Sequence, residues 1–294
     1  MFRLANKMAR DFTRPVVMSR RTVAGKCTAG IGAYVIVNDE GIFLTAFHIV
    51  KQWHDTLDEL DKTRQMLAAI KKIQDDQSLK PDEKRRQIKK MPKPHSDAVT
   101  DASLWLGTDR LETEYMGGIE EIDLGFGKLK TFDPKTVATY PTLKDDAQNY
   151  EPGVSLCRLG YPLFEITPTF DPATGAFLLP RGTAPPPFFA SEGMLARMME
   201  FQAVAGTPPH PFPMRWIETS SPGLKGQSGG PIFDEKGTIW AIQSNTECYP
   251  LGFEPEPRPG QKLHQFLSVG RGVHITTVLG LLRQQNIKFS LSTY

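Results

Sequence analysis

The chain is short of cysteine, has no long apolar run, and has no surplus of either charge. Cysteine occurs three times in 294 residues, at Cys27, Cys157 and Cys248. A small, odd number excludes a disulfide framework as the main source of stability. No stretch approaches the ~18 apolar residues of a membrane span. The basic N-terminus, MFRLANKMARDFTRPVVMSRR, lacks the apolar segment of a secretory signal. The expectation is a cytoplasmic protein with reduced thiols and no membrane partner. Lys and Arg number 35 against 33 Asp and Glu, a formal charge of +2. A dedicated nucleic-acid binder with a strongly basic face is therefore not expected. No His-x-x-x-His or Cys-x-x-Cys spacing occurs, so neither a metal site nor a cofactor is expected.

What is present is apolar bulk and many turns. Hydrophobic residues make up 39%, with 25 Gly and 24 Pro. The chain is long enough to bury a core without staples. It suggests two domains or one large β-rich unit. Residues 1–28 show no clear period and read as an arm or edge strand. Runs 33–37 and 42–46 flank Asn38-Asp39-Glu40-Gly41 in a hairpin pattern. Between Lys51 and Met91 the chain is charged and free of Gly. There Trp53, Leu57, Leu60, Leu67, Ile70 and Ile73 recur at helical steps, and Pro81 interrupts them. This predicts a helical hairpin, either a solvated face or a docking surface for a partner.

Strand-like runs return at 103–106, 122–130 and 154–159. Residues 163–213 then turn rich in Pro and Phe, and a loop this long is usually functional or disordered. Within it, 191–204 reads as a short helix capped by Ser191. Strand signals resume at 214–219, 230–233 and 238–244. A second Pro-rich loop at 250–259 follows, then a strand at 266–269. HITTVLGLLRQQN fits a terminal helix capped by Thr276 or Thr277. Many short strands with one terminal helix favour a sandwich or barrel.

The strongest local signal is Gly226-Gln227-Ser228-Gly229-Gly230-Pro231. Glycines around a serine let the backbone turn tightly and approach a substrate carbonyl. They also leave N–H groups free to meet a developing oxyanion. An ordinary Gly-rich turn is the bland alternative. The hexapeptide resembles the nucleophile motif of trypsin-like (chymotrypsin-fold) serine proteases. Thr45-Ala46-Phe47-His48-Ile49-Val50 is similar to that family's histidine segment. Asp123-Leu124-Gly125-Phe126-Gly127-Lys128-Leu129 is similar to its acid segment. The order His48, Asp123, Ser228 is the chymotrypsin order. Residues 152–162, ending Gly160-Tyr161-Pro162, resemble a strand of bacterial heat-stress proteases.

The resemblance implies an all-β fold of two packed six-stranded antiparallel β-barrels, with a C-terminal helix and the inserted helical hairpin. The whole of 1–294 would be one peptidase unit, with insertions at 51–91 and 163–213. It implies a serine endopeptidase acting on a protein or peptide substrate. Ser228 would be the nucleophile, His48 the base and Asp123 its partner, with Asp101 the competing acid and Asp97 behind it. The N–H groups of Gly226 and Ser228 would form the oxyanion hole. Pro222, Ser244, Asn245 and Thr246 would line the substrate pocket. The other histidines (His54, His95, His210, His264 and His274) lack the strand-then-histidine context.

Two departures matter. Gln227 stands where digestive members carry an acid that pairs with a new N-terminus. The resemblance therefore implies a site that is always formed, or one ordered by a regulatory partner through 51–91 or 163–213. Pro222 stands where trypsin-type members keep an aspartate. Together with Thr246, this implies a shallow pocket for small or medium uncharged P1 residues. A catalytically silent binding module on the same fold is the competing function, and ester hydrolysis by the same residues is a third.

Overall fold

The computed structural model describes all residues except 108–111, 149, 202–208, 253–265 and 294. The chain opens with helix α1 (Arg3–Phe12), strands β1 (Thr13–Thr22), β2 (Cys27–Ile36) and β3 (Ile42–Ala46), and helices α2 (Phe47–Asp75) and α3 (Pro81–Lys90). Strands β4 (Val99–Leu106), β5 (Thr113–Ile119) and β6 (Leu124–Leu129) complete the first half. The second half holds β7 (Thr142–Leu143), β8 (Ser155–Gly160), β9 (Thr169–Asp171), β10 (Ala176–Leu178), β11 (Phe189–Glu200) and β12 (Arg215–Thr219). It ends with β13 (Pro231–Phe233), β14 (Ile239–Pro250), β15 (Phe266–His274), helix α4 (Ile275–Gln284) and β16 (Ser290–Leu291).

The first sheet is antiparallel and six-stranded, in the order β4-β1-β2-β3-β6-β5. In the second, six antiparallel strands close on themselves, because β13 pairs with both β8 and β14. The short strands β7 and β16 add to this barrel through parallel pairings. The fold is thus the two-barrel, chymotrypsin-like architecture. Its core is apolar and runs through both halves, from Tyr34, Val35 and Phe43 to Phe233, Ile242 and Val278. Among the described residues, no helix is long and apolar enough to cross a membrane.

Several sequence expectations change. Residues 3–12 form a helix that buries Ala5, Ala9 and Phe12. β1 is not an edge strand, since it lies between β2 and β4. Residues 191–200 are strand rather than helix, flanked by β8 and β12, with Gly193 and Leu195 buried at alternate positions. The remainder of that expected helix, 202–204, lies outside the described residues. The 163–213 segment is therefore not wholly an insertion, because β11 is a barrel strand. Most of the expected 250–259 loop also lies outside the described residues. Helix α4 is capped by His274, whose ring nitrogen accepts the Thr276 N–H (3.0 Å), and not by Thr276 or Thr277.

The helical hairpin forms over 51–91, and its buried face shares only Leu60 with the apolar stripe. Val50, Thr56, Leu60 and Thr63 face inward, while Leu57 and Leu67 are exposed. Helix α2 packs on β4, where Glu59 accepts the Val99 N–H (3.2 Å).

Candidate active site

The Gly226–Gly230 loop is clamped between the two barrels. The Ser228 carbonyl accepts the Ala33 N–H of β2 (2.8 Å), and the Gly229 N–H donates to the Gln243 carbonyl of β14 (2.7 Å). Gly226 has φ +102°, and a Cβ there would lie 2.5 Å from the Tyr161 carbonyl oxygen. Gly229 has φ +82°, and a Cβ would collide with the Ala33 carbonyl. Both positions demand glycine on two counts, dihedral and space. Gln227 is fully buried. Its side chain accepts the Leu224 N–H (2.9 Å) and donates to Ser191 Oγ (3.0 Å). These bonds brace the turn at the position where digestive relatives carry an acid. Among the described residues, neither the Gly226 N–H nor the Ser228 N–H has an acceptor. They are two free donors flanking the Ser228 side chain.

His48 occupies the first turn of α2, and Asp123 builds that turn from a distance. Ala46 offers no side-chain cap. Instead the Phe47 N–H donates to the Asp123 carbonyl (3.1 Å), and the His48 N–H donates to Asp123 Oδ1 (2.7 Å). A carboxylate here also meets the positive end of the helix dipole. The same carboxylate receives His48 Nδ1 at 2.9 Å on Oδ2 and 3.1 Å on Oδ1. Against an ionised carboxylate Nδ1 is the nitrogen that carries the proton, which leaves the lone pair on Nε2. Ser244 Oγ donates a further bond to Asp123 Oδ2 (2.6 Å). Asp123 has φ +58°, a left-handed conformation that aspartate tolerates better than most residues. Burial alone would raise the Asp123 pKa. The hydrogen bond and charge of His48 and the bond from Ser244 outweigh burial and hold it below the usual carboxylate value.

The side chains of His48 and Ser228 line one cleft of ≈ 360 Å³, together with Gly226, Lys225 and the Gly30–Gly32 stretch of β2. Ser228 Oγ donates to the Ser244 carbonyl (3.1 Å). Among the described residues, no hydrogen bond joins it to His48. The structure therefore brings His48, Asp123 and Ser228 together, with the hydroxyl turned to a neighbouring carbonyl.

The rival groups lie elsewhere. Asp101 pairs with Arg21 (3.3 Å) and Thr100 on β4. Asp97 sits beside the exposed His95 (3.6 Å). His54 is exposed on α2, and His210 lies against the Phe212 ring. His274 is buried as a helix cap, and His264 lies outside the described residues.

The expected pocket residues divide by role. Thr246 Oγ1 donates to the Gly223 carbonyl (2.6 Å), tying two facing walls together. Asn245 reaches Glu247 through its amide (3.3 Å). Ser244 points at Asp123, so it positions the acid and does not face the pocket. The Pro222 carbonyl is taken by a residue that sequence reasoning missed, Arg158. Arg158 lies in β8 and is 1% exposed. Its guanidinium donates to the Ser221 carbonyl (2.9 Å), Ser221 Oγ (3.2 Å), the Pro222 carbonyl (2.6 Å) and Thr219 Oγ1. Gln243, also missed, spans the Asn245 (2.9 Å) and Arg271 (3.2 Å) carbonyls through one amide nitrogen. The signal for Arg158 was a charged residue inside the apolar run Leu156–Leu159.

The M. tuberculosis protease Rv3671c, in its active form, is 11% identical, with a TM-score of 0.48 over 99% of this chain and 89% of that one. The HtrA-type protease AlgW, solved with a tripeptide, is 14% identical, with a TM-score of 0.47 over 97% of this chain and 63% of that one. No curated protein matches the chain. The trypsin-like peptidase domain matches residues 32–242, which run from β2 ahead of His48 to β14 behind Ser228, and by that match the chain belongs to the trypsin-like peptidase family.

Proposed function

We propose that the protein is a serine endopeptidase that cleaves a specific protein substrate through His48, Asp123 and Ser228. The observation that carries this reading is the single hydrogen-bonded line from Ser244 Oγ through Asp123 to His48 Nδ1, which opens on the cleft that holds Ser228. Ser228 Oγ attacks the scissile carbonyl while His48 Nε2 takes its proton. The N–H groups of Gly226 and Ser228 receive the oxyanion. His48 then gives the proton to the leaving amine, and water repeats the cycle on the acyl-enzyme. Asp123, held ionised, keeps the imidazole in the required tautomer and stabilises the imidazolium.

Attack requires Ser228 Oγ to leave the Ser244 carbonyl for His48 Nε2. That resting arrangement supports regulation of the site, with a partner protein engaging the α2–α3 hairpin (51–91) or the 163–213 segment. The same arrangement favours a second reading, a silent binding module. A fluorophosphonate probe separates the two. Labelling of the wild type that disappears in Ser228→Ala is expected. An unlabelled wild type that still binds its partner would refute the protease.

A further inference from the structure

Arg158 carries a charge whose place in the fold calls for an account. No carboxylate lies within ion-pair distance of it among the described residues. Every acceptor that it meets is a neutral oxygen. Burial pushes its pKa down to about 10, so it stays charged at neutral pH. An uncompensated buried guanidinium is costly to keep. Glu218, the adjacent buried acid, does not offset it. That carboxylate is bonded to Arg197 (2.7 Å), Arg271 (2.9 Å) and Tyr249 (2.6 Å).

The charge lies behind the strips of chain expected to wall the primary specificity pocket. Three strips of chain meet there: 221–223, 244–246 on β14 and 270–271 on β15. Thr246 stands opposite Gly270 and Asn245 opposite Arg271 in the strand pair. The Gly270 N–H donates to the Ser221 carbonyl (2.8 Å), the same oxygen that Arg158 holds. A Cβ on Gly270 would lie 2.5 Å from an Arg158 terminal nitrogen, so the guanidinium packs directly on the pocket strand.

We infer that Arg158 determines specificity: its buried positive charge makes the pocket select an acidic P1 side chain, aspartate foremost, and reject lysine and arginine. This rests on the reading of Ser228 as nucleophile. The carboxylates flanking these strips among the described residues, Glu218 and Glu247, are both paired with Arg271 (2.9 Å each), so a cationic P1 group would have to compete with that arginine for them. It would also find the Ser221 and Pro222 carbonyls turned toward Arg158 and away from it. An anionic group gains from the same field, which low-dielectric surroundings screen weakly. The Thr246–Gly223 bond narrows the enclosure, which suits the short aspartate. The inference keeps the small size expected from the sequence and proposes a negative charge where an uncharged residue was expected.

A P1-diversified peptide library, followed by matched peptides differing only as Asp, Asn or Lys at P1, tests the assignment on the full chain. P1 Asp should exceed its isostere Asn by about tenfold in kcat/KM, the size of a single charge interaction at intermediate dielectric. P1 Lys should not be cut. Arg158→Gln should bring the Asp/Asn ratio to about one, and Arg158→Lys, which keeps the charge but not the fork of donors, should hold the ratio above one even where all rates fall. A purely structural Arg158 would lower all rates together and leave the ratio unmoved, which would overturn the proposal. Where the variants fail to fold, the wild-type ratio decides: a value at or below one overturns it. Where no peptide turns over, inactivation rates of peptidyl phosphonates with Asp or Asn at P1 supply the same ratio. Failure of a fluorophosphonate to label Ser228 is a different outcome and sinks the protease reading itself.

Discussion

The protein should carry an acid-labile element that has nothing to do with catalysis, and His274 is the group responsible. It is 1% exposed. Its Nδ1 accepts the Thr276 N–H at the start of α4 (3.0 Å), and its ring lies edge-on to Tyr150 (4.4 Å between centroids). Protonation would destroy the acceptor and set a cation against the positive end of a helix. Burial first, and then the charge of Arg215, push its pKa from 6.5 down to about 4, against a weaker opposing effect from Asp146. The unfolded chain therefore binds the extra proton between pH 6.5 and pH 4, while the folded chain does not. Stability rises with pH across that window and is lost as pH falls through it.

Linkage over that gap gives a loss of about 2 kcal/mol between pH 7 and pH 5, growing to about 3 kcal/mol at pH 4. The assay is urea unfolding of the wild type and His274→Asn at several pH values. Asparagine caps a helix without titrating. Other groups, such as Asp123 and Glu218 with their lowered pKa values, also lose stability in acid. They do so equally in both proteins, so the difference isolates His274. The variant should start lower at pH 7 and close the gap as pH falls. Curves that stay parallel from pH 7 to pH 4 would refute the reasoning. The same pair lets the acid limb of the activity profile be read free of unfolding.

Two further outcomes follow from the site. Asp123→Asn should still accept the His48 backbone N–H, but it should favour the wrong imidazole tautomer. We expect kcat to fall about ten-thousand-fold with an unchanged circular dichroism spectrum; a fall of less than tenfold would remove Asp123 from its role. Gly229→Ala should destabilise the fold by about 2 kcal/mol or more, from left-handed strain plus the collision with Ala33. A thermal melt reads this, and an unshifted Tm would mean that the loop is not clamped as described.

Where the sequence could be read, the determinants were local. Gly226 and Gly229 declare a tight turn around Ser228, because the need for glycine is set by the dihedral of the residue itself. His48 and Asp123 were found through segments beside strands. Where reading failed, tertiary pairing overrode local preference. SEGMLARMME is built from good helix formers, yet β8 and β12 offer it two hydrogen-bonding edges and it becomes β11. The stripe Trp53, Leu57, Leu60, Leu67, Ile70 and Ile73 announced the helix, but of these only Leu60 is buried, beside Val50, Thr56 and Thr63. Ser244 was expected in the pocket wall together with its sequence neighbours Asn245 and Thr246. Its hydroxyl instead reaches Asp123, 121 residues away in the chain, a contact that no spacing rule encodes. Arg158 is the instructive case. An arginine inside an apolar strand is visible in the sequence, and it asks where its charge goes. The answer needs Ser221, Thr246 and Gly270 side by side, and these residues become neighbours only when β15 pairs with β12 on one side and β14 on the other.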